Sequence, residues 1–115
     1  MGVTKISLRN GVGEHPGIAD VVVTAYIGYV RDTSKPDDKG ELFHSSEGLD
    51  FVVQLGRGLL IRGWEEGLMQ MRVGEMATLH MTSDYAYGPR GFPPRIPPDA
   101  DLVFDVELRS IVDGF

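Results

Sequence analysis

An α+β fold, an antiparallel sheet with a single helix packed on its inner face, is what this sequence predicts. Three observations carry that expectation. In DLVFDVELRSI, Leu102, Phe104, Val106 and Leu108 alternate with Val103, Asp105, Glu107 and Arg109. That is a strand with one buried and one wet face, which belongs in an antiparallel sheet. In LIRGWEEGLMQM, Ile61, Trp64, Leu68 and Met71 fall at spacings of three, four and three, one face of a helix. The chain's 115 residues, 42% of them hydrophobic, suffice for one core and one domain, expected to span residues 1–115. A lone helix buries its apolar stripe by lying on the sheet, giving two layers.

The elements follow in order. Val3 to Leu8 reads as a first strand, closed by the turn-prone RNGVGEHPG. DVVVTAYIGYV, Asp20 to Val30, is β-branched and aromatic, and reads as a strand. From Arg31 to Leu42 the chain is polar, with Pro36 and Gly40 among mixed charges, and reads as a solvated loop or flap. LDFVVQL, Leu49 to Leu55, is another strand, ended by Gly56 and Gly58. The helix follows, and after it EMATLHMT, where Ala77, Leu79 and Met81 alternate. Between Tyr85 and Ala100 lies YAYGPRGFPPRIPPDA, with five of the seven prolines. A loop of that length without secondary structure is usually functional, and its prolines stiffen it by fixing φ.

Several function classes are disfavoured. A net charge of −6 argues against a nucleic-acid binder, which would carry a basic face. With no cysteine there is no disulfide, thiol nucleophile or Cys-based zinc site, and a reducing cytoplasmic location is the expectation. No apolar run is long enough for a bilayer, no signal peptide is recognisable, and Ile6 stands where a myristoylation signal has Ser or Thr. No membrane partner is therefore expected.

No Walker A sequence, dinucleotide-binding glycine motif or His-Glu-x-x-His is present. His15, His44 and His80 lack ligand spacing, so neither metal nor cofactor is expected. Glu65 and Glu66 are adjacent and point to different sides of a helix, which suits the helix dipole better than paired acid–base work. Ser45 and Ser46 have no neighbouring base and read as turn or capping residues.

What remains is aromatic: Tyr26, Phe43, Phe51, Trp64, Tyr85, Tyr87, Phe92 and Phe104. By residue type alone they are core before they are a site. Tyrosines, however, need a partner for the hydroxyl when buried, and an apolar cleft with a few polar tips is the usual form of a small-ligand site.

Four stretches, AYIGY, IRGWEEG, SDYAYG and IPPDADLVFDVEL, occur in this order over nearly the whole chain. Together they resemble the FKBP family, the tacrolimus- and rapamycin-binding peptidyl-prolyl cis–trans isomerases. The resemblance implies a curved antiparallel sheet wrapped around one short helix. It also implies isomerase activity on X-Pro bonds of polypeptides, inhibited by macrolides of the tacrolimus and rapamycin type. A pocket is implied with Trp64 as its floor and Tyr26, Phe43, Phe51 and Phe104 as aromatic walls. The Ile61 N–H, beside Leu60, would donate to one carbonyl of substrate or drug, and the Tyr87 hydroxyl to another. Ile96 would stand at the lip. A drug-dependent phosphatase or kinase partner docking on the surrounding surface is implied as well.

Three pocket positions depart from the family pattern. His44, in ELFHSS, replaces an aspartate that accepts from the Tyr26-type hydroxyl, and the usual arginine partner is missing too. Phe92 stands where the mammalian form has histidine. Arg95 adds a cation at a commonly apolar position of the lip, expected to favour acidic ligands. The Arg31–Leu42 segment is longer than in short members of the family. A second reading therefore stands beside the enzyme: a weakly active or inactive module binding proline-containing segments or protein partners.

Overall fold

In the computed structural model, residues 2–112 are described. Six strands form one sheet: β1 (Val3–Arg9), β2 (Val21–Arg31), β3 (Lys39–Ser45), β4 (Phe51–Gln54), β5 (Met76–Met81) and β6 (Leu102–Val112). One helix, α1 (Arg62–Met69), lies between β4 and β5. Every strand pairing is antiparallel, in the order β1-β5-β6-β2-β3, with β4 also on β2. The α+β expectation of an antiparallel sheet around one short helix holds.

The 11-residue β2 organises the sheet. One edge pairs with β6 over nearly its full length. The other edge takes β4 along Val21–Thr24 and β3 along Ile27–Arg31. At the hand-over Ser46 substitutes for a ladder partner, its N–H donating to the Tyr26 carbonyl at 2.9 Å and its Oγ accepting from the Tyr26 N–H at 3.0 Å. The backbone polar groups of Tyr26 are thereby satisfied while the sheet turns. The capping role expected of Ser46 is realised here.

Helix α1 approaches the sheet through a side-chain-free stripe. A Cβ on Gly63 would sit 2.5 Å from the Met81 sulfur, and one on Gly67 2.6 Å from Leu79 Cδ1. These two glycines set the helix-to-β5 distance. Trp64 and Leu68 bury the helix's apolar face in a core shared with Val22, Leu79, Leu102, Phe104, Val106 and Leu108. Each such aliphatic side chain contributes about 1.5–3 kcal/mol by leaving water.

Four local expectations need correction. The polar segment was expected to run as a loop from Arg31 to Leu42, but β3 begins at Lys39. Its residues pair with β2, and Lys39 Nζ lies 2.7 Å from Asp105 Oδ2, so the excursion shrinks to 32–38. The segment Tyr85–Ala100 is not structureless. A 3-10 turn at Ser83–Tyr85 leads into it, another at Gly88–Arg90 lies within it, and Phe92 and Ile96 exchange backbone hydrogen bonds of 2.9 and 3.1 Å. Proline density stiffens this loop, but backbone hydrogen bonds shape it. The strand expected over Leu49–Leu55 is shorter, Phe51–Gln54. Finally, Val103, on the outward face of β6, is fully buried. Its direct cross-strand neighbours are Tyr29 and His80, whose large side chains share that face.

Candidate functional site

Where the inner face of the sheet meets the start of α1, a cavity of about 910 Å³ opens. All twelve residues singled out in the sequence line it: Tyr26, Phe43, His44, Phe51, Leu60, Ile61, Trp64, Tyr87, Phe92, Arg95, Ile96 and Phe104. They come from β2, β3, β4, the entry to α1, the loop after β5, and β6. Four further lining residues escaped the sequence reading: Gly58, Leu59, Pro93 and Pro94. Leu59 is an exposed leucine beside a glycine, and the prolines sit between Phe92 and Arg95. Their position in the sequence was the only available signal.

Trp64 is both core and cavity lining. Only 3% of its surface is exposed, yet it forms part of the cavity wall. Three rings meet it edge-on: Tyr26 at 5.0 Å and 89°, Phe104 at 5.5 Å and 89°, and Phe51 at 6.0 Å and 87°. Such T-shaped pairs set positive ring edges against negative faces, adding about 0.5–1.5 kcal/mol each beyond burial. Phe43 extends the cluster, its ring 5.4 Å from Phe104 at 87°.

Gly28 makes the room for that arrangement. A Cβ there would lie 2.7 Å from both Phe43 Cζ and Phe104 Cε1. The bulge beside it matters as much. Gly28 pairs with His44 and Tyr29 with Leu42, so Phe43 is an extra residue with no partner on β2. A bulge of this kind re-aims the side chain it carries, and Phe43 is buried against the cavity.

Polar groups are few. The Tyr26 hydroxyl and His44 Nδ1 are 2.5 Å apart, and the two rings stack at 5.6 Å. With His44 neutral and its proton on Nε2, the phenol donates and the imidazole accepts. Burial raises the Tyr26 pKa above the usual phenol value, and the nearby Tyr87 raises it further. Burial alone raises that of Tyr87. Both hydroxyls therefore stay protonated donors at neutral pH. Among the described residues, neither the Tyr87 hydroxyl nor the Ile61 N–H has an acceptor within the chain. Arg95, placed at the lip, donates from Nη1 to the Phe43 carbonyl at 2.9 Å. Phe92 is 62% exposed and tilts over Tyr87 at 5.3 Å.

Among the described residues, no three His, Asp or Glu side chains converge as a metal set, and no helix is long and apolar enough to cross a membrane. The expected dipole role of the two glutamates is only partly matched. Glu65 lies in the first helical turn and accepts from the Gly56 N–H at 2.8 Å, while Glu66 pairs with Arg62 at 2.6 Å.

Comparison with known proteins completes the description of the site. Residues 13–109 match the family model described as FKBP-type peptidyl-prolyl cis-trans isomerase. The chain is 52% identical over 112 residues to FK506-binding protein 1B of Neurospora crassa, covering 96% of this chain and 99% of that one. It is 47% identical over 112 residues to FK506-binding protein 1 of Gibberella zeae, with 96% and 99% coverage. It is 44% identical over 114 residues to a peptidyl-prolyl cis-trans isomerase of Schizosaccharomyces pombe, with 98% and 97% coverage.

Proposed function

This chain belongs to the FKBP-type peptidyl-prolyl cis–trans isomerases and is an enzyme of that class, and we propose that the cavity over Trp64 is where it rotates X-Pro bonds of polypeptides. The observation that carries the proposal is a cavity walled by aromatic rings with two donors, the Ile61 N–H and the Tyr87 hydroxyl, that have no acceptor among the described residues.

The reaction needs little beyond that. Resonance across C–N sets a barrier of about 18–20 kcal/mol, and the unaided exchange takes tens of seconds or longer. The planar imide is more charge-separated than the twisted one. Tyr26, Phe51, Trp64 and Phe104 replace water around the proline ring and so disfavour the planar form. The Ile61 N–H and Tyr87 hydroxyl hold the flanking carbonyls while the bond turns. Catalysis is then tighter binding of the twisted form than of either planar one. No proton changes hands, so His44 acts as an acceptor that fixes Tyr26.

That hydrogen bond favours the active enzyme over the inert binding module. The histidine in place of the family's aspartate still offers Tyr26 an acceptor at 2.5 Å. We further propose that tacrolimus- and rapamycin-type macrolides occupy the same cavity and inhibit turnover. The drug-bound lip, including the exposed Leu59 and Phe92, would then be the surface for a phosphatase or kinase partner. We also propose a cytoplasmic location, which a chain without cysteine suits.

A protease-coupled assay with short X-Pro peptides, run with and without tacrolimus, tests this reading. Macrolide-sensitive turnover well above the uncatalysed rate is expected. Macrolide or peptide binding without turnover would return the binding module.

A further inference from the structure

We infer that Arg95 is a positioning residue, a strut that holds the proline-rich loop against β3 and thereby keeps the cavity closed on that side. The inference rests on the reading of this cavity as the prolyl site. It departs from the sequence expectation that Arg95 acts as a free cation at the lip.

Three observations support the strut. First, the guanidinium has a defined partner. Nη1 donates to the Phe43 carbonyl at 2.9 Å, across 52 residues of sequence. Among the described residues this is the one hydrogen bond or ion pair Arg95 makes within the chain. Second, the acceptor lies on the sheet's edge strand, at the bulge. Phe43 is the extra residue between the pairs Gly28–His44 and Tyr29–Leu42, so it has no opposite residue on β2. A bulged residue leaves the ladder locally unpaired. The same bulge aims the Phe43 ring into the cavity, so Arg95 grips the backbone of a wall residue.

Third, Arg95 is a partition. Its side chain lines the Trp64 cavity on one side and, on the other, a second groove of about 590 Å³ edged by Arg31, Asp32, Glu41, Asp99 and Asp101. Among the described residues it is the only one lining both. Without it the apolar cavity would open into a groove rich in carboxylates and water. The loop itself is pinned at its base by the Phe92–Ile96 hydrogen bonds, which leave its tip, Pro93 and Pro94, without a backbone tie to β3.

Three variants separate the stem from the charged donor, and the peptide's charge and the salt dependence separate hydrogen bonding from charge. Arg95→Met keeps the stem without a donor, Arg95→Lys keeps one donor of similar reach, and Arg95→Ala removes both. A strut predicts that Met and Ala raise KM for an uncharged X-Pro peptide, and speed tacrolimus release, by about three- to tenfold, the effect of one hydrogen bond. Turnover at saturation should change little, and Lys should recover much of the loss. Acrylamide should quench Trp64, the sole tryptophan, more readily in the Met and Ala variants. The quenching requires no enzymatic activity, so it tests the strut even if the wild type turns over no peptide, a result that would refute the prolyl-site reading instead. Wild-type quenching and release in Arg95→Met would overturn the strut. So would effects confined to charged peptides that vanish in high salt, which would make Arg95 a charge at the lip.

Discussion

Replacing Gly28 by alanine adds one methyl group where two cavity rings converge. Its carbon would lie 2.7 Å from Phe43 Cζ and from Phe104 Cε1, and 3.1 Å from Phe104 Cδ1. Carbon atoms pack best at about 3.5–4.0 Å, so each ring must retreat by about 1 Å. Neither can do so alone, because Phe43 abuts Phe104 at 5.4 Å and Phe104 abuts Trp64 at 5.5 Å. Overpacking of this kind costs about 1–3 kcal/mol. Alanine recovers about 0.4–1 kcal/mol by restricting the unfolded chain, since Gly28 does not adopt positive φ. The steric cost wins, leaving a net loss of about 0.5–2 kcal/mol. For a chain of this length that lowers Tm by about 2–10 °C. Function should suffer more, because a displacement of about 1 Å in positioning groups can cost up to about a hundredfold in rate. Denaturant unfolding and the peptide assay read the two effects separately. A Gly28→Ala protein at least as stable as wild type, with full turnover, would show that the rings are not wedged against this strand.

His44→Asp should tighten tacrolimus binding about fivefold by calorimetry, since the Tyr26 hydroxyl would then donate to a charged acceptor, worth about 1 kcal/mol more than a neutral one. His44 is exposed, which spares the new carboxylate most of the desolvation cost. Equal tacrolimus affinity of the two proteins would make His44 a bystander. Glu75 is nearly buried, with Lys5 Nζ at 2.9 Å from Oε2 and the Arg72 N–H at 2.9 Å from Oε1. Burial pushes its pKa up, but the Lys5 and Arg72 bonds outweigh that and hold it below the usual value. A depressed carboxylate stabilises the fold above its unfolded pKa of about 4.3 and loses that contribution as pH falls through the lower folded value. Glu75→Gln should therefore cost about 1–3 kcal/mol at neutral pH and flatten the acid limb of the stability curve, and an unchanged acid limb would rule out this pair as its source. Saturable change in Trp64 emission on macrolide titration is expected as well, and flat emission with calorimetric binding would place the drug elsewhere.

Two elements were legible because their pattern is local. The alternation from Leu102 to Leu108 and the stripe Ile61, Trp64, Leu68, Met71 each report one buried face, and β6 and α1 bury those faces. Periodicity works here because each side chain's direction follows from backbone geometry alone. The cavity residues were legible by a different route, the resemblance of four stretches to a known family. Periodicity could not have separated Trp64 the wall from Trp64 the core, and in the folded chain it is both.

Composition and local pattern thus determined the fold class, the helix and the central strands, since burial of a periodic face is a property of the segment itself. Tertiary structure decided what depends on a distant partner. Polar Lys39–Ser45 is a strand only because β2 offers an edge, and its bulge exists only relative to that edge. Val103 is buried by Tyr29 and His80 from neighbouring strands. Gly28 is required by two rings that reach it from β3 and β6. Arg95 reads as a free cation in the sequence and becomes bound to the Phe43 carbonyl in the fold, because that acceptor arrives from 52 residues away. Such pairings depend on how the whole chain closes, and no window of neighbouring residues contains them.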